Sequence, residues 1–225
     1  MHLHRLTGLS GIVLGLLTTL TVPLYFVHEG APPAWNVLTR NLISLVMCAL
    51  LIVFLSGLRQ VISRPDAPYD WLAGVAHSAG LVYIAVTLVA TALEVGGVLS
   101  AAGGAVDPTV EGPLAAGNVL LHGSVARLIT AVLLFAAGYV ILRSRALPAW
   151  TGRSAYLIAA VNLAFVPSLY FGTDPARFYS ALGWGNTALA ASLISYWVVA
   201  VGVVLVRRGQ KSDFSALSSR RATTS

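Results

Sequence analysis

Residues 42–58 read LISLVMCALLIVFLSGL, an apolar run with no charged side chain. It approaches the ~20 residues an α-helix needs to cross the ~30 Å hydrocarbon core of a bilayer. A helix satisfies its own backbone polar groups, which lipid cannot do. A buried helix of a soluble domain is the competing reading, and the flanks decide against it. Leu6–Val27 precedes the run with the same character. Trp71 to about Leu93 follows, reaching Leu99 if Glu94 is taken into the helix. Then come Val119–Leu142, Ser154–Phe171 and Leu182–Val206. The expected fold class is all-α: a polytopic bundle of six transmembrane helices in residues 1–206. The basic, Ser-rich residues 207–225 are expected to form a disordered cytoplasmic tail.

Composition agrees. The chain is 57% hydrophobic and 10% charged, against about 25% charged in a soluble domain. The first run is too long for the ~7–15-residue apolar region of a signal peptide, and the Gly30-Ala31-Pro32-Pro33 that follows is a poor cleavage site. It reads as an uncleaved helix. Its Gly11 and Gly15 form a GxxxG pair, which permits close helix contact. The single cysteine, Cys48, excludes an internal disulfide and a cysteine metal site.

The net charge of +6 is explained by orientation rather than by nucleic acid, for which no aromatic-interleaved basic patch exists. With the N-terminus inside, the inner segments hold Arg5, Arg59, Arg64, Arg143, Arg145, Arg153 and the five basic residues of the tail. The outer segments hold only Arg40 and Arg177. This asymmetry predicts both termini in the cytoplasm. Trp71, Trp150, Tyr69 and Tyr156 fall at inner ends, and Tyr25, Trp35, Tyr170, Tyr179 and Trp184 at outer ends, as interfacial anchors do. The near absence of lysine and the richness in Ala, Gly and Val point to a GC-rich bacterial genome, hence an inner or plasma membrane.

Ionisable groups inside a membrane are costly and mark function by default. Here they are Glu94, His122 and Arg127, with Asn118, Asn162 and Asn186 as polar companions. Asn118 and His122, four apart, share a helix face. Arg127 lies about 140° round from His122. These six residues are expected to line an outward-facing polar cavity. There Glu94 or His122 could relay a proton and Arg127 could hold an anionic group. The structural alternative is that they make interhelical hydrogen bonds and a buried ion pair. His77, in the small-residue stretch Ala73–Gly80, is a secondary candidate that reads first as a packing residue. A haem between His77 and His122 fits poorly, because their depths differ by roughly 8 Å. No cofactor and no metal site is expected. HExxH, Walker A and GxSxG motifs are missing, as is an aspartate-rich cluster for magnesium diphosphate.

Two stretches, Gly80–Gly97 with its lone glutamate and Leu133–Trp150 with its LRSRALPAW helix end, resemble a family of uncharacterised bacterial six-helix membrane proteins. That resemblance implies the architecture and no reaction. The function expected is a small transporter, or a membrane accessory or sensor subunit. Its partners would be the lipid bilayer, a lipophilic or anionic small molecule and a membrane protein docking on the GxxxG face. The alternative is a membrane-embedded enzyme using Glu94 or His122 as acid/base on a lipid or isoprenoid.

Overall fold

The computed structural model describes residues 2–28, 30–101, 115–174 and 176–222, and these contain helices and no strand. In chain order the α-helices are α1 (His2–Thr21), α2 (Ala34–Ile62), α3 (Asp70–Ser100), α4 (Ala115–Leu120), α5 (Ala126–Ser144), α6 (Ala149–Phe165) and α7 (Ala191–Ala222). Short 3₁₀ and π segments extend or join them. Six spans result that are long and apolar enough to cross a membrane: Leu3–Tyr25, Ala34–Ile62, Asp70–Ser100, Leu121–Ser144, Ala149–Phe171 and Gly185–Gln210. The chain is therefore a multi-pass helical bundle of the kind that lies in a bilayer.

Each span packs on the next in sequence, and α1 packs on α7 to close a ring. Phe54, Leu133, Leu134, Val140, Val201 and Leu205 fill the interior and are shielded from the surroundings. The outside is apolar as well. Leu6, Leu16, Leu20, Leu42 and Leu157 are each between 60% and 67% exposed, an exterior that hydrocarbon suits and water does not. Trp35, Trp71, Trp150 and Trp184 stand where spans begin and are half-exposed or more, matching amphipathic rings at the two membrane surfaces.

The observed boundaries correct several expected ones. The second span begins at Ala34 rather than Leu42, because Asn36, Arg40 and Asn41 are buried inside the bundle. Asn36 Nδ2 donates to the Leu24 carbonyl at 3.0 Å, tying the start of α2 to the end of the first span. The fifth span begins at Ala149, capped by Pro148, with Thr151 Oγ1 donating to the Pro148 carbonyl at 2.7 Å. On the same side of the bundle, Asp70 Oδ1 accepts from Ser63 Oγ and the Arg64 amide, both at 2.6 Å, and so organises the turn into α3. The helix α7 passes the expected tail boundary at Val206. Arg208 donates to the Ala146 carbonyl there, which anchors this segment to the turn before α6.

The GxxxG face of α1 is not free for a partner. A Cβ on Gly11 would meet Phe54 at 2.9 Å and the Val198 carbonyl at 3.0 Å, and one on Gly15 would meet Val199 at 1.8 Å. The small residues serve packing against α2 and α7 within the chain, and the expectation of an external partner on this face is withdrawn.

Candidate functional site

The site is built where three spans lose their regular helical form at one end of the bundle. In the fourth span a π segment, Leu121–Val125, joins α4 to α5, with Gly123 in a non-helical conformation. In the fifth, Pro167 has no N–H to continue the helix, and Val166–Phe171 tightens into a 3₁₀ segment. In the sixth, Gly185–Ala190 is a π segment. These pieces pack together. Ser124 Oγ donates to the Val166 carbonyl at 2.9 Å, and Asn186 Nδ2 donates to Ser168 Oγ at 3.2 Å and to the Ala181 carbonyl at 2.9 Å. A Cβ on Gly123 would stand 3.3 Å from Asn186 Nδ2. Irregular backbone at membrane depth is tolerated where protein encloses it or where it lines a cavity, and it recurs at binding sites.

The break positions Arg127. In a regular helix the Ala126 amide would donate to the His122 carbonyl. Here it donates to the Gly123 carbonyl instead, and the His122 carbonyl accepts from Arg127 Nη2 at 3.0 Å. Arg127 Nη1 donates to Asn162 Oδ1 at 3.2 Å, and Asn162 Nδ2 donates back along its own helix to the Ile158 carbonyl at 2.9 Å. Arg127 is 3% exposed. Its Nε has no hydrogen-bond partner, and no carboxylate lies within ion-pair distance among the described residues.

Glu94 is held differently. Its Oε1 pairs with Arg40 Nη2 at 3.3 Å, and both side chains are buried. The Arg40 guanidinium also lies over the Tyr25 ring, 4.2 Å from its centroid. A buried ion pair with a cation–π contact offsets the cost of a charge in lipid, although the Arg40 Nε has no hydrogen-bond partner. The two clusters adjoin. His122, half-buried in the π segment, lies within electrostatic reach of Glu94, Arg127 and Arg40, and Tyr83 lies within reach of Arg127 and of Tyr25. Asn118 is 1% exposed with neither amide atom hydrogen-bonded.

Of the six expected site residues, Glu94, His122, Arg127 and Asn162 thus fall in two clusters within electrostatic reach of one another. Asn186 braces the break behind them, and Asn118 is buried one turn before His122. His77 lies apart, 3.4 Å from Ser56 Oγ, beside a void of about 10 Å³ lined by Leu55, Leu58 and Leu133. The residue that sequence reading misplaced is Arg40, assigned to an outer loop. Its spacing of four from Asn36, on one helical face, was the available signal. The acidic residues Glu29, Asp107 and Glu111 of the sequence lie outside the described residues.

No family model, curated protein or solved structure matches the chain. Its site is therefore read from geometry alone. What that geometry offers is two guanidinium cations and one carboxylate, withdrawn from water around a half-buried imidazole. Counting His122 as neutral, the described cluster carries one positive charge more than negative.

Proposed function

We propose that this chain is a small membrane transporter or carrier that binds an anion at Arg127, with both termini in the cytoplasm of a bacterial inner membrane. One observation carries the reading: Arg127 is buried beside a helix break and meets only neutral acceptors among the described residues. A buried cation without an anion costs several kcal/mol. A bound anion removes that cost, and Arg127 Nε and the Asn118 amide remain as unused donors. The converging broken spans supply elements that can rearrange to admit it. The enzyme reading, with Glu94 or His122 as acid/base on a lipid or isoprenoid, has less support. The Glu94 carboxylate already accepts from Arg40, so it is engaged in an ion pair rather than free to face a substrate.

Native mass spectrometry of the full chain from mild detergent, beside Arg127→Gln, tests the binding. A bound anion is expected in the parent and absent in the folded variant. Ligand-free spectra from both would count against the reading. So would loss of folding in Asp107→Asn/Glu111→Gln that Arg127→Gln rescues, because the counterion would then lie in the chain itself. The orientation has its own check. A reporter active only in the cytoplasm should work when fused at either terminus and be silent in the Gly30–Pro33 turn. Activity in that turn would reverse the assignment.

A further inference from the structure

A cavity of about 80 Å³ lies at the centre of the ring, between the first, second, third and sixth spans. Its inner end is hydrocarbon, from Leu14, Leu51 and Val198. Its outer end carries Ser44, Tyr83 and Thr87. Ser44 stands one helical turn inside Arg40, and Tyr83 is the side chain within electrostatic reach of Arg127. The cavity thus runs from an apolar floor to an end that lies one helical turn from Arg40. The Thr87 hydroxyl is already spent on the Tyr83 carbonyl at 2.9 Å, and the Ser44, Tyr83 and Ser195 hydroxyls stand in a lining otherwise made of Leu14, Met47, Cys48, Leu51, Ile194 and Val198. Apolar cavities stay dry and accept apolar guests. This one is about half the ~150 Å³ that admits a benzene, which is room for roughly four carbons.

We infer that the ligand is a short aliphatic anion, with a carboxylate or phosphate head between Arg40 and Arg127 and its chain in the central cavity. This rests on the anion reading above and adds the chain. Continuity carries it: Ser44 stands one turn from Arg40 on the second span and Thr87 two turns from its partner Glu94 on the third, so both walls of the cavity lead towards the ion pair, and Tyr83 lies within electrostatic reach of Arg127. The excess positive charge selects the head, and the volume and lining select the tail.

The only cysteine of the chain, Cys48, lines the same cavity and serves as a native reporter. The purified full chain is treated with methyl methanethiosulfonate in the presence of acetate, butyrate, hexanoate, decanoate, butyl phosphate or butanol. Butyrate and hexanoate, or butyl phosphate if the head is a phosphate, should slow labelling at least fivefold. Acetate and butanol should have little effect, and Arg127→Gln should abolish the protection. A second readout does not depend on labelling. Butyrate should raise the melting temperature more than acetate does, and the cavity-filling Cys48→Phe should erase that difference while keeping the response to acetate. Equal protection by butanol would overturn the inference, as would protection that keeps rising to decanoate, which would indicate a lipid. If acetate binds through Arg127 while no chain length affects Cys48 or the melting temperature, the tail assignment fails and the anion reading stands. If no anion binds in either assay, both fail.

Discussion

Glu94→Ala should lower the stability of the folded bundle by about 3–5 kcal/mol, the usual cost of removing one partner of a buried ion pair. The lost contact is a single 3.3 Å bond, and the bond itself is the smaller part of the effect. What remains is Arg40, a full positive charge on a side chain 7% exposed, deep enough in α2 that water cannot readily reach it. The ring of Tyr25 at 4.2 Å offsets some of that charge, by ~1–2 kcal/mol when desolvated. The variant should therefore unfold at a temperature lower by about 10 °C, at roughly 2–4 °C per kcal/mol for a chain of this size. Replacing both partners, as Arg40→Met/Glu94→Leu, removes the charge along with its counterion. That double variant should recover most of the loss and can exceed the parent. Thermal unfolding of the parent, Arg40→Met, Glu94→Leu and the double variant in one detergent completes the cycle. A Glu94→Ala protein that melts within about 2 °C of the parent would mean that water or lipid headgroups hydrate the pair, and the site would have to be redrawn as open. A stable double variant that no longer retains an anion would separate the role of the pair in binding from its role in folding.

How much of this was legible in the sequence follows from what hydropathy measures. It registers long stretches that lipid tolerates, and all six spans were found that way. It reads a polar residue as outside, and it misjudged the start of α2 for that reason. Asn36, Arg40 and Asn41 lie within the helix because each finds its acceptor there: the Leu24 carbonyl, Glu94 and the Val37 carbonyl. The last is local, but the first two depend on neighbouring spans that a reading of α2 alone does not contain. The same holds for Glu94. Its partner lies 54 residues away and is brought to it by the packing of α2 on α3. Arg127 stood out at once, since a mid-helix arginine always does. What holds it was hidden, because the His122 carbonyl becomes available only through the break at Gly123. Pro167 announces a weak point in the fifth span. The glycine at 123 does not, since glycines are common in membrane helices and most pack without breaking them.

The ring closes through close contacts of Gly8, Gly11 and Gly15 with the last span, and at the facing pair Gly8 and Gly202 the expected effect approaches that at the ion pair. A Cβ on Gly8 would stand 2.6 Å from the Gly202 carbonyl oxygen and 2.6 Å from Val206 Cγ2; one on Gly202 would stand 2.7 Å from the Gly8 carbonyl oxygen and 3.3 Å from the Ile12 amide. A methyl at Val206 can rotate away, but the carbonyl oxygens cannot. Any larger residue at 202 must push α1 and α7 apart along their length. Overpacking of a fixed contact costs ~1–3 kcal/mol and occasionally more. Here it also opens the contact between the first and last spans, so the upper end applies. Gly202→Val should show a melting temperature lower by about 6–10 °C, or aggregate on extraction. Gly202→Ala should fall between it and the parent. Gly74 and Gly96 make the comparison decisive, since a Cβ at either meets nothing within 4 Å. At those positions alanine should be neutral or raise stability by up to ~1 kcal/mol through helix propensity alone. If Gly202→Val and Gly96→Val melt together, α1 and α7 are not in backbone contact, and the ring is open at that seam. The central cavity, walled on one side by α1 and α7, would then be a lateral cleft facing lipid rather than an enclosed pocket for a short chain.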